Sequence, residues 1–321
     1  MDHPAEPTRR TGWGRLVLGA LGFMTLAPLW AAAVPLAALQ LASIRRRTSE
    51  LAPAGLATGV GLWWLVQPGE LPDQFLRAVV LLASVAFLIL TVRTGWSFIH
   101  RALAGALMGF AVASLLLPVF GSSWPELIWW VEFRQGIAFR SMIGILATLL
   151  DTVGSSDVSA IDIRDLERRF ADTARLMGRF SPAIVTLQVL AALALAAAFY
   201  RRIAVQPIGQ VPGRFRDFRF SEHLGWAVVV ALMIVVIPRI AALKLVAANA
   251  LLVAGVLYAL RGAAVVAFGL QLLGTGGIVF WLFATLAIVF MLPIVVGGAI
   301  LLGVLDAGLN LRRRWIDAAS R

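Results

Sequence analysis

Apolar runs long enough to cross a bilayer recur from Leu16 to Leu309, and clusters of arginine separate them. A run of about 20 residues at 1.5 Å per residue matches the ~30 Å hydrocarbon core of a membrane. Hydrophobic residues make up 60% of the chain and charged residues only 14%, whereas a soluble domain is roughly half apolar and a quarter charged. The pattern predicts an integral membrane protein. Its expected fold is all-α: a polytopic transmembrane helix bundle of eight to ten spans, with interfacial amphipathic helices at about 123–180.

The first apolar run, Leu16 to Ile44, contains Pro28 and Pro35. It is too long for one straight span and short for two, so a kinked helix and a half-inserted hairpin both fit. Because the run continues past the small residues near Ala31, it reads as an uncleaved anchor. Further spans are expected at Leu51–Val66, Phe75–Val92, Ala102–Phe120, Pro182–Tyr200, Leu224–Pro238 and Ile240–Leu260, followed by two more runs on either side of residues 274–277. This arrangement divides a single membrane domain, 1–321, into N-terminal helices at 15–120, an insertion at 121–181 and C-terminal helices at 182–315.

Arginine placement orients the bundle. Arg45–Arg47, the 201–220 segment with its five arginines and single acid, and Arg312–Arg314 all mark cytoplasmic edges. The loop QPGELPDQ (67–74) carries acids and no base, as an external loop does. Both termini are therefore expected in the cytoplasm, in a multi-pass protein of the inner membrane. The 121–180 insertion has eight acids and seven arginines, a balance that leaves its side open. Within it, Trp124–Leu150 reads as an aromatic-rich interfacial helix. A second helix is expected to start at Ser159 and to bury Ile163, Leu166, Phe170, Ala174 and Met177 as one stripe, either resting on the bilayer or bundle or covering a binding site.

Two charges lie inside apolar runs. Of 28 basic residues, Lys244 alone is a lysine. At 100° per residue, Lys244, Leu251, Gly255, Tyr258 and Gly262 share one direction to within about 40°, a face suited to a partner helix or a cavity. The orientation above puts Lys244 and Arg239 near the outer surface, where the positive-inside rule predicts no cation. Either Lys244 snorkels to the headgroups, or Arg239 and Lys244, with Asn249 and Tyr258, line a cavity for an anionic or carbonyl-bearing ligand. The other charge is Asp306, two turns before Arg313 and one turn from Asn310. It either pairs with terminal arginines to dock the last helix or couples to a proton or partner subunit. Arg261, expected at the cytoplasmic end of its helix, is its candidate interhelical partner. Arg261, Asp306 and Asn310 thus form a predicted helix-coupling set.

Catalysis finds little foothold in these residues. The chain has no cysteine, and its three histidines, His3, His100 and His223, lie far apart without ligand spacing. No nucleophile–base pair, metal cluster or nucleotide loop is present in the sequence, so no metal, no cofactor and no enzymatic activity are expected. The formal net charge of +11 is spread over membrane flanks, which argues against nucleic acid as a partner; the expected partner is the lipid bilayer.

The C-terminal half carries a series of short motifs: Phe218-Arg219-Phe220, then Asn249, then Tyr258-x-x-Arg261-Gly262, then Gly303-x-x-Asp306 ahead of Arg312-Arg313-Arg314. From about 181 to 315 this resembles the YybS-like family of bacterial membrane proteins, with Glu222 and His223 where that pattern has a proline. The resemblance implies a fold similar to the substrate-binding S components of energy-coupling-factor transporters. It also implies a pocket among the helices, a second transmembrane subunit as partner and a separate ATPase. Ala27-x-x-x-Ala31 and Ala33-x-x-x-Ala37 have the small-xxx-small form of the docking faces in that group. Two functions are therefore expected: a small-molecule binding or transport component, or a membrane scaffold or assembly partner without transport.

Overall fold

A computed structural model describes residues 13–43, 48–153, 163–209, 215–221, 223–239, 241–272 and 278–319. Among the described residues every regular element is helical. Arg45–Arg47, the expected cap at Ser159 and the hinge at 274–277 lie outside them. The chain forms two compact units, Met1–Gln210 and Val211–Arg321.

The first unit contains α1 (Trp13–Met24), α2 (Ala33–Ser43), α3 (Thr48–Val66), α4 (Leu71–Arg93), α5 (Phe98–Leu116), α6 (Trp124–Val153), α7 (Ile163–Arg179) and α8 (Ser181–Ile203). The Leu16–Ile44 run is neither one span nor a continuous kinked helix. The chain leaves helical geometry ahead of Pro28, passes through a 3₁₀ turn at Leu29–Ala32 and re-enters as α2. Proline cannot continue a helix it does not start, so Pro28 ends one segment and opens the next, while Pro35 sits in the tolerant first turn of α2. Ala27, Ala31 and Ala37 are all buried inside this unit.

Helices α4 and α5 pack through glycine. A Cβ on Gly109 would collide with the Ala83 backbone, and one on Gly105 would come within 3.1 Å of the Phe87 amide nitrogen. Small residues at this spacing let two backbones meet, and close packing drives helix association in lipid. Gly55 and Gly59 have the same sequence spacing but face open space.

The 121–180 insertion is a pair of packed helices. Ser123 and Glu126 cap α6 reciprocally, each side-chain oxygen accepting from the other residue's amide at 3.4 Å. The Phe139 and Phe170 rings stack at 4.7 Å, and a Cβ on Gly178 would press into the Glu132 side chain. The apolar stripe of α7 thus lies on α6: Ala174 is buried, Leu166 and Phe170 half-buried, while Met177, expected in the stripe, is exposed. The outer face of α6 exposes Trp129, Phe133, Ile137, Ile145 and Leu149. Arg134 fastens the pair to the start of α4, donating to Asp73 at 2.9 Å and to Glu70 at 2.7 Å. The Asp73 hydrogen bond, outweighing burial, holds the Arg134 guanidinium above the ordinary arginine value.

The second unit contains α9 (His223–Val236), α10 (Ala241–Leu272), α11 (Ile278–Leu309) and α12 (Leu311–Ala319). Helix α11 is kinked at Met291 (φ −123°, ψ 27°), two residues before Pro293. Its second half runs antiparallel to α10, with Gly262 against Ala299 and Gly303 against Tyr258.

Five described helices are long and apolar enough to cross a membrane: Leu71–Arg93, Phe98–Phe120, Ser181–Ile203, Leu243–Leu270 and Met291–Leu309. Eight to ten were expected. Leu29–Ser43 and Leu224–Val236 are apolar but shorter; the 14 residues of α9 extend only about 21 Å. In α3, Glu50, three glycines and two tryptophans dilute the run.

Candidate helix-coupling site

Asp306 is 0% exposed, and two guanidiniums close on it. Arg261 reaches across from α10, its Nε donating to Oδ2 at 2.8 Å and its Nη2 to the Asp306 carbonyl at 3.1 Å. Arg312 comes from α12, donating from Nη2 to Oδ2 at 2.8 Å and from Nε to Oδ1 at 3.3 Å. The Arg312 fork also holds the segment before α9, with Nη1 donating to the Arg216 carbonyl at 2.6 Å and Nη2 to the Phe218 carbonyl at 2.9 Å. One carboxylate therefore ties together α10, α11, α12 and the 215–220 segment.

Local sequence makes this possible. Gly262 and Gly303 bring the backbones of α10 and α11 into contact, close enough for Arg261 to span the gap. Phe220 lies 5.2 Å from the Arg261 guanidinium carbon, a cation–π distance, and meets the Tyr258 ring edge-on at 5.0 Å. Asn310 adopts φ 49°, the left-handed conformation that a short polar side chain tolerates, while its amide donates to the Asp306 carbonyl at 3.1 Å. That residue ends α11 and re-aims the chain, so α12 folds back with Trp315 beside Gly269.

Arg261 and Asp306 meet as predicted, although Arg261 does not sit at a helix end: α10 runs on to Leu272. Asn310 acts through its backbone. The arginine two turns along from Asp306, Arg313, is exposed, and Arg312 takes the place expected of it. A continuous helix was assumed there, and the left-handed break shifts the phase. Asn310 after an apolar run was the signal available, since asparagine is the commonest non-glycine residue in that conformation.

The four predicted ligand residues are dispersed. Arg239 is exposed in the turn after α9, and Lys244 is half-buried with no hydrogen bond or ion pair among the described residues. Asn249 is buried and donates to the Leu245 carbonyl at 2.9 Å. Tyr258 is buried against Phe220, about 21 Å along α10 from Lys244. The stripe that Lys244 begins is the packing face for α11: Ile300 lies over Gly255, Ala299 over Gly262 and Gly303 over Tyr258.

Among the described residues no group of three or more His, Cys, Asp or Glu could hold a metal. No curated protein and no solved structure matches the chain. A family model described as "Predicted membrane protein (DUF2232)" matches residues 136–307, just over half of the sequence and a range that includes both Arg261 and Asp306. The chain belongs to this DUF2232 family of predicted membrane proteins.

Proposed function

We propose that the protein is a non-catalytic membrane component, and that its role is to scaffold or assemble rather than to transport. One observation carries this reading. The residues expected to couple helices meet in a single buried network, whereas those expected to bind a ligand do not converge. Such a network fixes one arrangement of helices, the best-attested use of buried ion pairs.

A small-molecule binding or transport component is the second reading. It rests on the resemblance to YybS-like proteins and S components, and on the Lys244 ammonium, which has no partner among the described residues. The alanine faces offered for docking on a second transmembrane subunit weaken it, because Ala27, Ala31 and Ala37 are buried within their own unit and Ala33 is half-buried. Fold-level analogy alone does not assign a role.

The proposed setting is a bacterial inner membrane with both termini cytoplasmic. Shorter apolar stretches at 29–43, 48–66, 224–236 and 278–290 would bring the five candidate spans towards the eight to ten expected. Native mass spectrometry of gently extracted protein separates the two readings. The scaffold reading expects a defined protein complex free of metabolites other than lipid or phosphate. Any other bound metabolite or an accompanying ATPase would overturn it in favour of transport.

A further inference from the structure

The helix-coupling network is unbalanced in charge. Two guanidiniums face one carboxylate, and all three side chains are at least 96% buried. Among the described residues one positive charge is left over in a site shielded from water. Part of the imbalance falls on a particular atom. The Nε and Nη2 edge of Arg261 is occupied by Asp306, but Nη1 is buried and has no hydrogen-bond partner among the described residues. An unmet donor on a buried ion costs more than one on a neutral group, and the Phe220 face supplies only a partial counter-charge.

The surroundings favour an anion. Tyr258 lies one turn before Arg261 on α10, and its hydroxyl sits against the first turn of α9, 3.4 Å from where a Cβ on Gly225 would be. The N-terminus of that helix carries the positive end of its dipole, with the Leu224 amide already donating to the Ser221 carbonyl at 3.2 Å. We infer that Arg261 Nη1 anchors a buried oxyanion site beside Tyr258 and the start of α9, which takes a phosphate-type group. That chemistry comes either from a membrane phospholipid headgroup or from free inorganic phosphate. The group would balance the network's charge and complete the Arg261 fork, joining α9 to the helices that Asp306 already ties. It is independent of the choice between scaffold and transport.

The test uses the full chain in a phosphate-free mild detergent, with thermal unfolding as the readout. One arm adds inorganic phosphate. The other adds phosphatidylglycerol in mixed micelles, with diacylglycerol of the same chains as the control. At a hundredfold excess over Kd, one arm should raise the midpoint by roughly 5 °C, and diacylglycerol should not. Arg261→Lys keeps a charge opposite Asp306 but has no guanidinium corner to offer, so the rise should vanish. An equal rise in that variant, or none in either arm for the parent chain, overturns the site and leaves Nη1 to water. Hydrogen exchange on the parent chain decides the matter even if the lysine variant fails to fold. Ligand should slow exchange at 215–225 and 255–262 and leave 98–116 unchanged; protection confined to other segments overturns the proposal.

Discussion

Asp306 holds four chain segments with one carboxylate, so its loss differs in kind from the loss of a surface acid. Asp306→Asn keeps the shape but leaves two buried guanidiniums without a counter-charge. Breaking a buried pair from one side costs about 3–5 kcal/mol, and the C-terminal unit should melt correspondingly earlier in detergent. Replacing the three together (Arg261→Met, Asp306→Leu, Arg312→Met) should cost less than the asparagine change alone, because no charge is stranded. A triple variant less stable than the single one would show that the hydrogen bonds to the Arg216 and Phe218 carbonyls dominate. Lys244 stands at the opposite extreme. Its ammonium has no partner among the described residues, so Lys244→Met should shift stability by no more than about 0.5 kcal/mol; a clear loss of melting temperature would mean that the ammonium is held by a partner. The pair Arg261–Asp306 was legible in the sequence because ions in apolar runs must find each other. Pairing with a terminal arginine was legible too; that Arg312 rather than Arg313 provides it was not, since its place depends on one left-handed residue.

Helix pairing in this protein is set by where glycines face, which spacing alone does not tell. Gly109 and Gly59 both belong to a small-xxx-small pair, yet a Cβ at Gly109 would strike Ala83 while one at Gly59 meets nothing within 4 Å. Gly109→Val should therefore force α4 and α5 apart and cost several times more than Gly59→Val, measured as loss of monodisperse protein and of melting temperature. Equal effects would mean that the close α4–α5 contact does not form in the membrane. The same limit applies to the insertion. Periodicity identified the stripe on α7, and Phe170 does belong to it, but the surface it covers is α6 rather than lipid or bundle. Because the Phe170 ring is half-buried and stacked on Phe139, Phe170→Glu should cost about 1–2 kcal/mol. Faster proteolysis confined to α6 and α7 is the expected sign. Five described helices, rather than eight to ten, are long and apolar enough to span for a related reason: Pro28 divides one run, and α9 ends after 14 residues, features that an average over a window absorbs.

At the scale of the whole chain, two side-chain contacts constrain which segments share a side of the membrane. Arg134 binds Glu70 and Asp73, so the α6–α7 pair lies on the side of the 67–74 loop. Arg312 binds the carbonyls of Arg216 and Phe218, so the C-terminal arginines lie level with the 215–218 segment. Counting the five candidate spans from an external 67–74 loop gives a consistent path. Helices α4 and α5 return the chain outside for the α6–α7 pair, α8 takes it inside, and α10 with the second half of α11 brings the C-terminus back inside. If α9 and residues 278–290 also cross, they add two and leave the result unchanged; if only one of them crosses, the C-terminus moves outside. Single cysteines in intact cells decide between these cases, since the chain has none of its own. Cysteine at Pro68 or Arg168 should react with a membrane-impermeant maleimide, and cysteine at Gln206 or Arg313 should not. Disagreement between Pro68 and Arg168 would mean that the Arg134 bridge is absent in the membrane. Labelling at Arg313 but not at Gln206 would mean that just one of the short stretches crosses and that the Arg312 contact with the 215–218 segment is absent in the membrane. Labelling at Gln206 and Arg313 alone would invert the bundle and keep both contacts; with α9 crossing as well, that inversion places Lys244 near the cytoplasm, where the positive-inside rule accounts for it without any ligand.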